Sequence, residues 1–343
     1  MLHLYNSNGR KEWVDLGKGI SMLMVLLFHC EEYMGTVNTG TAEIFSFFRM
    51  PFFFFLSGYV FTSDYHKFSL QRKLKQIARG IVWTYLIIAS FLVVLKSFTK
   101  SDTLSDGFTG VMLGYASWFV VSLGVAQLLF ATVLHFTKRL RLITLFMLAS
   151  LGIGVGIKML TDEVLPFQLD KAFFVVVFFG LGFFYRIYEH RFRRFLTWRC
   201  LLVAIAVYAA LMTVEECVLG SATNNVFWNQ SLVNFPMFMV YTITGITMML
   251  ILVNVVYTKH LNIVCYIGAN SLLFYYFNGA VVQAWLSVYH KTGLAVNDWV
   301  VFTLLFLFVA STLLTIVWLV KRYCPIIVGD KAAFQRLFPK VKW

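Results

Sequence analysis

Apolar residues along this chain come in continuous blocks of about twenty, separated by short polar segments. Residues 173–188 and 300–320 are examples in which apolar side chains follow one another with few interruptions. A membrane barrel would instead alternate apolar and polar positions over about ten residues. Blocks of this length predict helices, which satisfy their backbone groups internally in lipid. The pattern places about ten spans, at Leu16–Met34, Glu43–Thr62, Ile77–Leu95, Val111–His135, Leu142–Leu160, Lys171–Tyr188, Trp198–Leu219, Leu232–Tyr257, Ile263–Val288 and Asp298–Val320. The fourth and ninth are long enough to contain a break. The expectation is an all-α integral membrane protein, one transmembrane domain over 1–343, with short tails at 1–15 and 321–343.

Composition sharpens that picture. Of 343 residues, 59% are hydrophobic and 13% charged, with 36 Phe and only 5 Pro. Soluble domains average about 45–50% apolar and about 25% charged, so the excess calls for a bilayer. The five cysteines are scattered, never as CxxC, and imply neither a disulfide framework nor a metal site. Arg10 and Lys11 before the apolar run Ile20–Phe28 resemble a secretory signal. His29, Cys30, Glu31 and Glu32 follow where a small-residue cleavage site would stand, so an uncleaved first helix is expected.

The basic residues orient the spans. If the N-terminus is cytoplasmic and every span crosses, 23 of the 29 Lys and Arg lie on the cytoplasmic side. Lys96, Lys100, Lys158, Lys171 and Lys291 fall outside, and Arg49 lies within a span. Loop Lys and Arg set orientation, so both termini are expected in the cytoplasm. The net charge of +13 is divided among short loops, which suits orientation and anionic lipid and argues against nucleic acid as a partner.

Candidate chemistry lies where ionisable groups enter spans, because they are costly there. Lys18 and His29 are eleven positions apart, within roughly 20° of one another on a helix and about 16 Å apart along its axis. Asp15 and Glu32 fall near the same face, giving a polar stripe that must meet protein or water. The plainer alternatives are that Asp15 and Lys18 snorkel to the inner surface and that His29 is a buried structural histidine. In the second span Arg49 brings a permanent cation to the depth of His29, and Pro51 interrupts the backbone ladder. Ser57-Gly58 would permit a close helix approach. Arg49 is expected to pair with Glu31, Glu32 or Glu43, or to bind an anionic substrate group. Other signals carry less. Gly152, Gly154 and Gly156 form no dinucleotide fingerprint, for want of a preceding strand, and read as packing positions. Asn229-Gln230-Ser231 matches a glycosylation acceptor, and Trp228 beside it is either a sugar-stacking residue or an interfacial anchor.

Taken together, Asp15-Leu16-Gly17-Lys18-Gly19 followed by His29, and Met50-Pro51-Phe52-Phe53-Phe54-Phe55-Leu56-Ser57-Gly58-Tyr59, resemble membrane acyltransferase family 3, in its fucose 4-O-acetylase-like branch. Ser117-Trp118-Phe119-Val120 and Ile267-Gly268-Ala269-Asn270-Ser271-Leu272 resemble two further family stretches, in the same order. The resemblance implies transfer of an acyl group, commonly acetyl, from cytoplasmic acyl-CoA to a sugar hydroxyl of a cell-surface or lipid-linked glycan at a bacterial cell membrane. Acetyl-CoA would be a co-substrate, with no bound cofactor or metal. His29 would act as general base or as an acyl-histidine relay, with Glu32 or Asp15 as its partner. Lys18, Arg72, Lys75 and Arg79 would meet the donor phosphates. Arg49, Ser57, Trp118, Asn270 and Asn278 are candidates for the acceptor side or for structure. Three positions depart from the family pattern. Arg49 stands where relatives often have His, as does Asn278, and Arg72-x-x-Lys75 is not a double arginine. The rival reading is a translocator of a glycan, lipid or small metabolite, in which the stripe is a path, and a weaker one is an inactive accessory subunit.

Overall fold

The computed structural model describes residues 11–98, 103–228, 231–257, 261–293 and 296–339, without the side chains of 41 and 42. Arg10, Lys100, Lys259, Lys340, Lys342 and the Asn229-Gln230 part of the glycosylation acceptor lie outside the described residues. Among the described residues all regular structure is helical. In chain order the helices are α1 (Glu12–Met34), α2 (Thr41–Ser46), α3 (Arg49–Tyr59), α4 (Leu70–Ile77), a π-helical stretch Ala78–Trp83, α5 (Thr84–Ser97) and α6 (Leu104–Met112). There follow α7 (Trp118–Phe136), α8 (Leu140–Leu160), a 3-10 turn Pro166–Gln168, α9 (Leu169–Phe192), α10 (Trp198–Cys217) and α11 (Phe235–Val256). The last are α12 (Asn262–Ala269), α13 (Ser271–Thr292), α14 (Asp298–Tyr323) and α15 (Lys331–Leu337).

Among the described residues, eight helical segments are long and apolar enough to cross a bilayer: Glu12–Met34, Leu70–Ser97, Trp118–Phe136, Leu140–Leu160, Pro166–Phe195, Trp198–Cys217, Phe235–Val256 and Asp298–Tyr323. The other two expected spans differ. The second divides at Phe47 and Phe48 into α2 and α3, and α3 has only 11 residues, about 16 Å of rise. Its Phe52, Phe53, Phe54, Phe55 and Leu56 are all buried. A run of aromatics therefore marks a core helix here. The ninth span breaks at Asn270 between α12 and α13; α13 has the length, at 22 residues, but Asn278, Gln283, His290 and Lys291 interrupt its apolar character. The fourth span breaks as well, between α6 and α7, where Gly114 adopts φ 80.

The chain divides into two compact units, each assembled from separate segments. The first comprises Met1–Leu56, Ile187–Asn225 and Val233–Trp318. Here α1 packs along α12 at its start and along α13 towards its end. Glycines allow the approach: a Cβ on Gly268 would strike the Asp15 carbonyl oxygen, and one on Gly19 the Val264 carbonyl oxygen. Gly17 faces the Leu56 and Phe52 side chains. The break between α2 and α3 leaves carbonyls without helical partners, and side chains answer them. The Tyr208 hydroxyl donates to Ile44 O at 2.6 Å, Asn225 Nδ2 to Ser46 O at 2.8 Å and Thr242 Oγ1 to Phe47 O at 2.9 Å. At the other break, Asn270 Nδ2 donates to Tyr266 O at 2.7 Å, and its backbone N–H bonds to the Tyr266 and Ile267 carbonyls. Asn270 thus closes the end of α12, as a C-terminal cap must.

The second unit comprises Ser57–Arg186, Val226–Leu232 and Leu319–Trp343. Its core contains two of the lysines that charge counting assigned to the non-cytoplasmic side, together with their partners. Lys158 Nζ and Lys171 Nζ lie 3.8 and 2.9 Å from the same Asp170 oxygen. Lys171 also donates to Gln168 Oε1 at 2.9 Å, and Gln168 Nε2 donates to Gly114 O at 3.3 Å. All four residues are buried. Each lysine is near a helix end, and the shared carboxylate draws it inward. Two ammoniums share one carboxylate, so Lys158→Met leaves a one-to-one pair and should shift the thermal midpoint in detergent by only a few degrees. Asp170→Asn leaves two buried ammoniums side by side and should cost about 3–5 kcal/mol. Equal midpoints for the two variants would contradict this account.

The C-terminal segment is also packed rather than a loose tail. Trp83 Nε1 donates to Ile326 O at 3.0 Å, and the Trp83 ring meets Phe334 edge-on at 5.2 Å. Gly329, at φ 67, sits where any Cβ would strike the Arg79 carbonyl oxygen.

Candidate functional site

The C-terminal half of the polar stripe is built by the last two turns of α1. Helical spacing sets Glu32 three residues and Tyr33 four residues after His29, all on one face. His29 Nδ1 lies 3.0 Å from Glu32 Oε2, with 20% and 49% of the two side chains exposed. The opposite ring nitrogen, Nε2, is thereby available for other chemistry. The Tyr33 ring stacks on the imidazole at 5.7 Å between centroids and 17° between planes, and its hydroxyl lies against α13. Gly279 makes room there, since a Cβ on it would lie 3.3 Å from Tyr33 Oη. Helix α1 then ends at Gly35, whose φ of 66 lets its N–H reach Glu31 O.

Arg49 reaches the same end of α1 from the start of α3. Its guanidinium lies 4.0 Å from the centroid of the Phe28 ring, and the side chain is 1% exposed. Glu32 and Glu31 both act on it electrostatically, two of the three carboxylates expected for it. Glu31 itself is buried and accepts the Thr39 N–H. The result is a compact set in the first unit: His29, Glu32, Arg49, Phe28 and Tyr33.

The N-terminal half of the stripe is a separate environment. Asp15 is buried at the start of α1, against Gly268 and within the field of Cys265. Fourteen residues of helix put it about 21 Å from His29, so the structure brings Glu32, and not Asp15, to the imidazole. Lys18 is half-buried, with Nζ 5.1 Å from the Phe53 ring centroid, also about 16 Å from His29 along the helix.

The remaining candidates distribute as follows. Arg72, exposed, and Lys75, half-buried, lie on α4, whose first turn is capped by Ser69 Oγ accepting the Arg72 N–H at 3.4 Å. Between them Lys73 turns inward, donating to Phe61 O beneath a ring 4.1 Å away. Arg79 lies in the π-helical stretch, and its Nε is buried with no hydrogen-bond partner among the described residues. Such π-segments recur at functional sites. Ser57 is buried on α3, just before Gly58, which abuts the Phe179 backbone. Trp118 opens α7 and stacks on Phe227 at 5.6 Å with Trp228 edge-on at 5.4 Å. Asn278 is buried on α13, next to the Gly279 that faces Tyr33. Among the described residues no group of three His, Cys, Asp or Glu could hold a metal ion.

Sequence reasoning missed Tyr33 and Gly279. A tyrosine four residues after His29 was a usable signal; a glycine 246 positions beyond that tyrosine was not.

These observations describe a multi-pass helical membrane protein with a histidine–carboxylate pair at one end of its first span. The acyltransferase domain of acyltransferase family 3 matches residues 11–321, and the chain belongs to that family of membrane acyltransferases. Searches of curated proteins and of solved structures each found no match.

Proposed function

We propose that this protein is an O-acetyltransferase of a bacterial cell membrane, moving an acetyl group from cytoplasmic acetyl-CoA to a sugar hydroxyl of a cell-surface or lipid-linked glycan. The observation that carries this reading is the His29–Glu32 pair at 3.0 Å within a family-matched acyltransferase domain. Glu32 holds the imidazole through Nδ1 and leaves Nε2 to take the proton of the acceptor hydroxyl. The hydroxyl oxygen then bonds to the thioester carbonyl carbon, the C–S bond breaks, and the CoA thiolate recovers the proton. A neutral imidazole has a pKa of about 6.5 and is suited to that exchange near neutrality. On the donor side, Arg72, Lys75 and Arg79 offer cations for the CoA phosphates, and a phosphate oxygen would supply the acceptor that Arg79 Nε lacks among the described residues. The Trp118–Trp228 pair, with Trp228 exposed, suits stacking against the apolar face of a sugar ring. The chemistry needs no bound cofactor.

The test is mass spectrometry of cell-surface glycans from cells lacking the gene, with and without complementation. Acetyl groups should disappear and return with the wild-type chain. Unchanged acetylation, with glycan precursor retained on the inner leaflet, would overturn the transferase and favour a translocator.

A further inference from the structure

We propose that residues 324–338 form a clamp on the π-helical stretch, through which Trp83 and Gly329 position Arg79 for the donor phosphates; this rests on the acyl-transfer reading above. The family match ends at residue 321, so the clamp lies beyond the matched domain, yet within the same compact unit as Arg79. Arg79 is seven residues from Arg72, within roughly 20° of it on a helix and about 10 Å along the axis. Lys75 falls on the same side, so the three cations make one face. Arg72 and Lys75 sit on the regular helix α4, whereas Arg79 sits in the π-helical stretch that follows. Its winding therefore decides where Arg79 stands relative to the other two. Such windings are rare and short, and the surroundings must hold this one.

The 324–338 segment grips the stretch at two points. Gly329 comes so close that a Cβ would lie 2.3 Å from the Arg79 carbonyl oxygen and 3.1 Å from Gly80 Cα. Four residues after Arg79, Trp83 Nε1 donates to Ile326 O at 3.0 Å, and the Gly329 N–H donates to the same oxygen at 3.1 Å. One carbonyl thus joins both points. Asp330 Oδ1 then caps α15 by accepting the Ala333 N–H at 2.9 Å. That helix sets Phe334 and Phe338 edge-on against the Trp83 ring, at 5.2 and 6.4 Å.

The consequence is read in donor affinity. Isothermal titration of acetyl-CoA into the full-length protein in nanodiscs gives a dissociation constant for each variant. Arg79→Gln should weaken binding about tenfold, as loss of a charge-assisted bond does. Trp83→Ala removes the bond to Ile326 and the ring together, and should weaken binding by a similar factor. Trp83→Phe keeps a ring against Phe334 and loses one neutral hydrogen bond, so it should cost only about threefold. Gly329→Val drives carbon into the Arg79 carbonyl and should weaken binding at least as much as Trp83→Ala. Combining Trp83→Ala with Arg79→Gln separates positioning from general damage. The pair should bind within about twofold of Arg79→Gln alone, because the clamp acts through that one side chain. Size-exclusion profiles identify any variant that fails to fold, and Trp83→Phe, alone and with Arg79→Gln, then decides the matter. Wild-type affinity in Arg79→Gln or in the clamp variants, or losses that add in the double variant, would overturn the clamp. No binding of acetyl-CoA by the wild-type chain would instead overturn the donor-side reading itself.

Discussion

Gly268→Val is expected to yield no folded, monodisperse protein. The position has space for hydrogen only, since a Cβ would collide with the Asp15 carbonyl oxygen and crowd the Gly19 nitrogen at 2.6 Å. Where an inserted carbon meets a flexible side chain, overpacking costs about 1–3 kcal/mol. Here the obstacle is main chain, so α1 and α12 must separate along their whole contact. The loss should exceed about 4 kcal/mol, the range reserved for severe defects. Helices in lipid depend on such close approaches, having little other reason to associate. Gly152→Ala is the matched control, because nothing lies within 4 Å of its added Cβ and alanine favours the helix. Fluorescence-detected size exclusion of tagged variants in detergent reads the result. A Gly268→Val peak that coincides with wild type, with an unchanged melting midpoint, would sink the argument.

That contact also explains how much of the fold could be read from the sequence. The Lys18-Gly19 motif and the Ile267-Gly268 motif were each visible, but 249 positions separate the two glycines, and no local pattern announces that they touch. The long apolar helices were legible because a block of about twenty residues has few alternatives in lipid. α3 was not, since aromatic runs serve a buried core helix as well as a lipid-facing one. Its break at Phe47 and Phe48 lies four residues before Pro51, whose missing N–H leaves the Phe47 carbonyl without a helical donor, so that part of the interruption was signalled by the proline. The carbonyls are satisfied from Tyr208, Asn225 and Thr242, which no scan of residues 43–62 includes. Among the three glycines of α8, only Gly154 meets a neighbour, Phe174 at 3.1 Å, while Gly152 and Gly156 face open space. The candidate site divides in the same way. His29 and Glu32 share a face by helical arithmetic, whereas Asp15 passes the same arithmetic and is excluded by distance along the axis. That Lys158 and Lys171 share Asp170 was not legible, because charge counting ignores where a partner carboxylate sits.

His29→Ala should reduce acetyl transfer about 10²- to 10⁴-fold, the contribution of a positioned general base, or about 3–5 kcal/mol of barrier. The fold should survive the change: the ring's near neighbours are Glu32, Phe28 and Tyr33 at the C-terminal end of α1, remote from the Gly268 contact. Glu32→Gln should cost less, about tenfold. An amide can still accept from Nδ1, but it no longer favours the imidazolium that forms when Nε2 takes the proton. Asp15→Asn discriminates between two accounts of the stripe. If the stripe works as one relay, its loss should approach that of His29. If catalysis is confined to the C-terminal end of α1, Asp15→Asn should alter stability while leaving the rate per folded molecule within about threefold of wild type, because about 21 Å of helix separates it from the imidazole. CoA release per folded molecule, normalised by size-exclusion peak area, separates the two. A His29→Ala enzyme within twofold of wild type would remove the base from the mechanism. The donor-side cations would then have to be judged as part of a transport path.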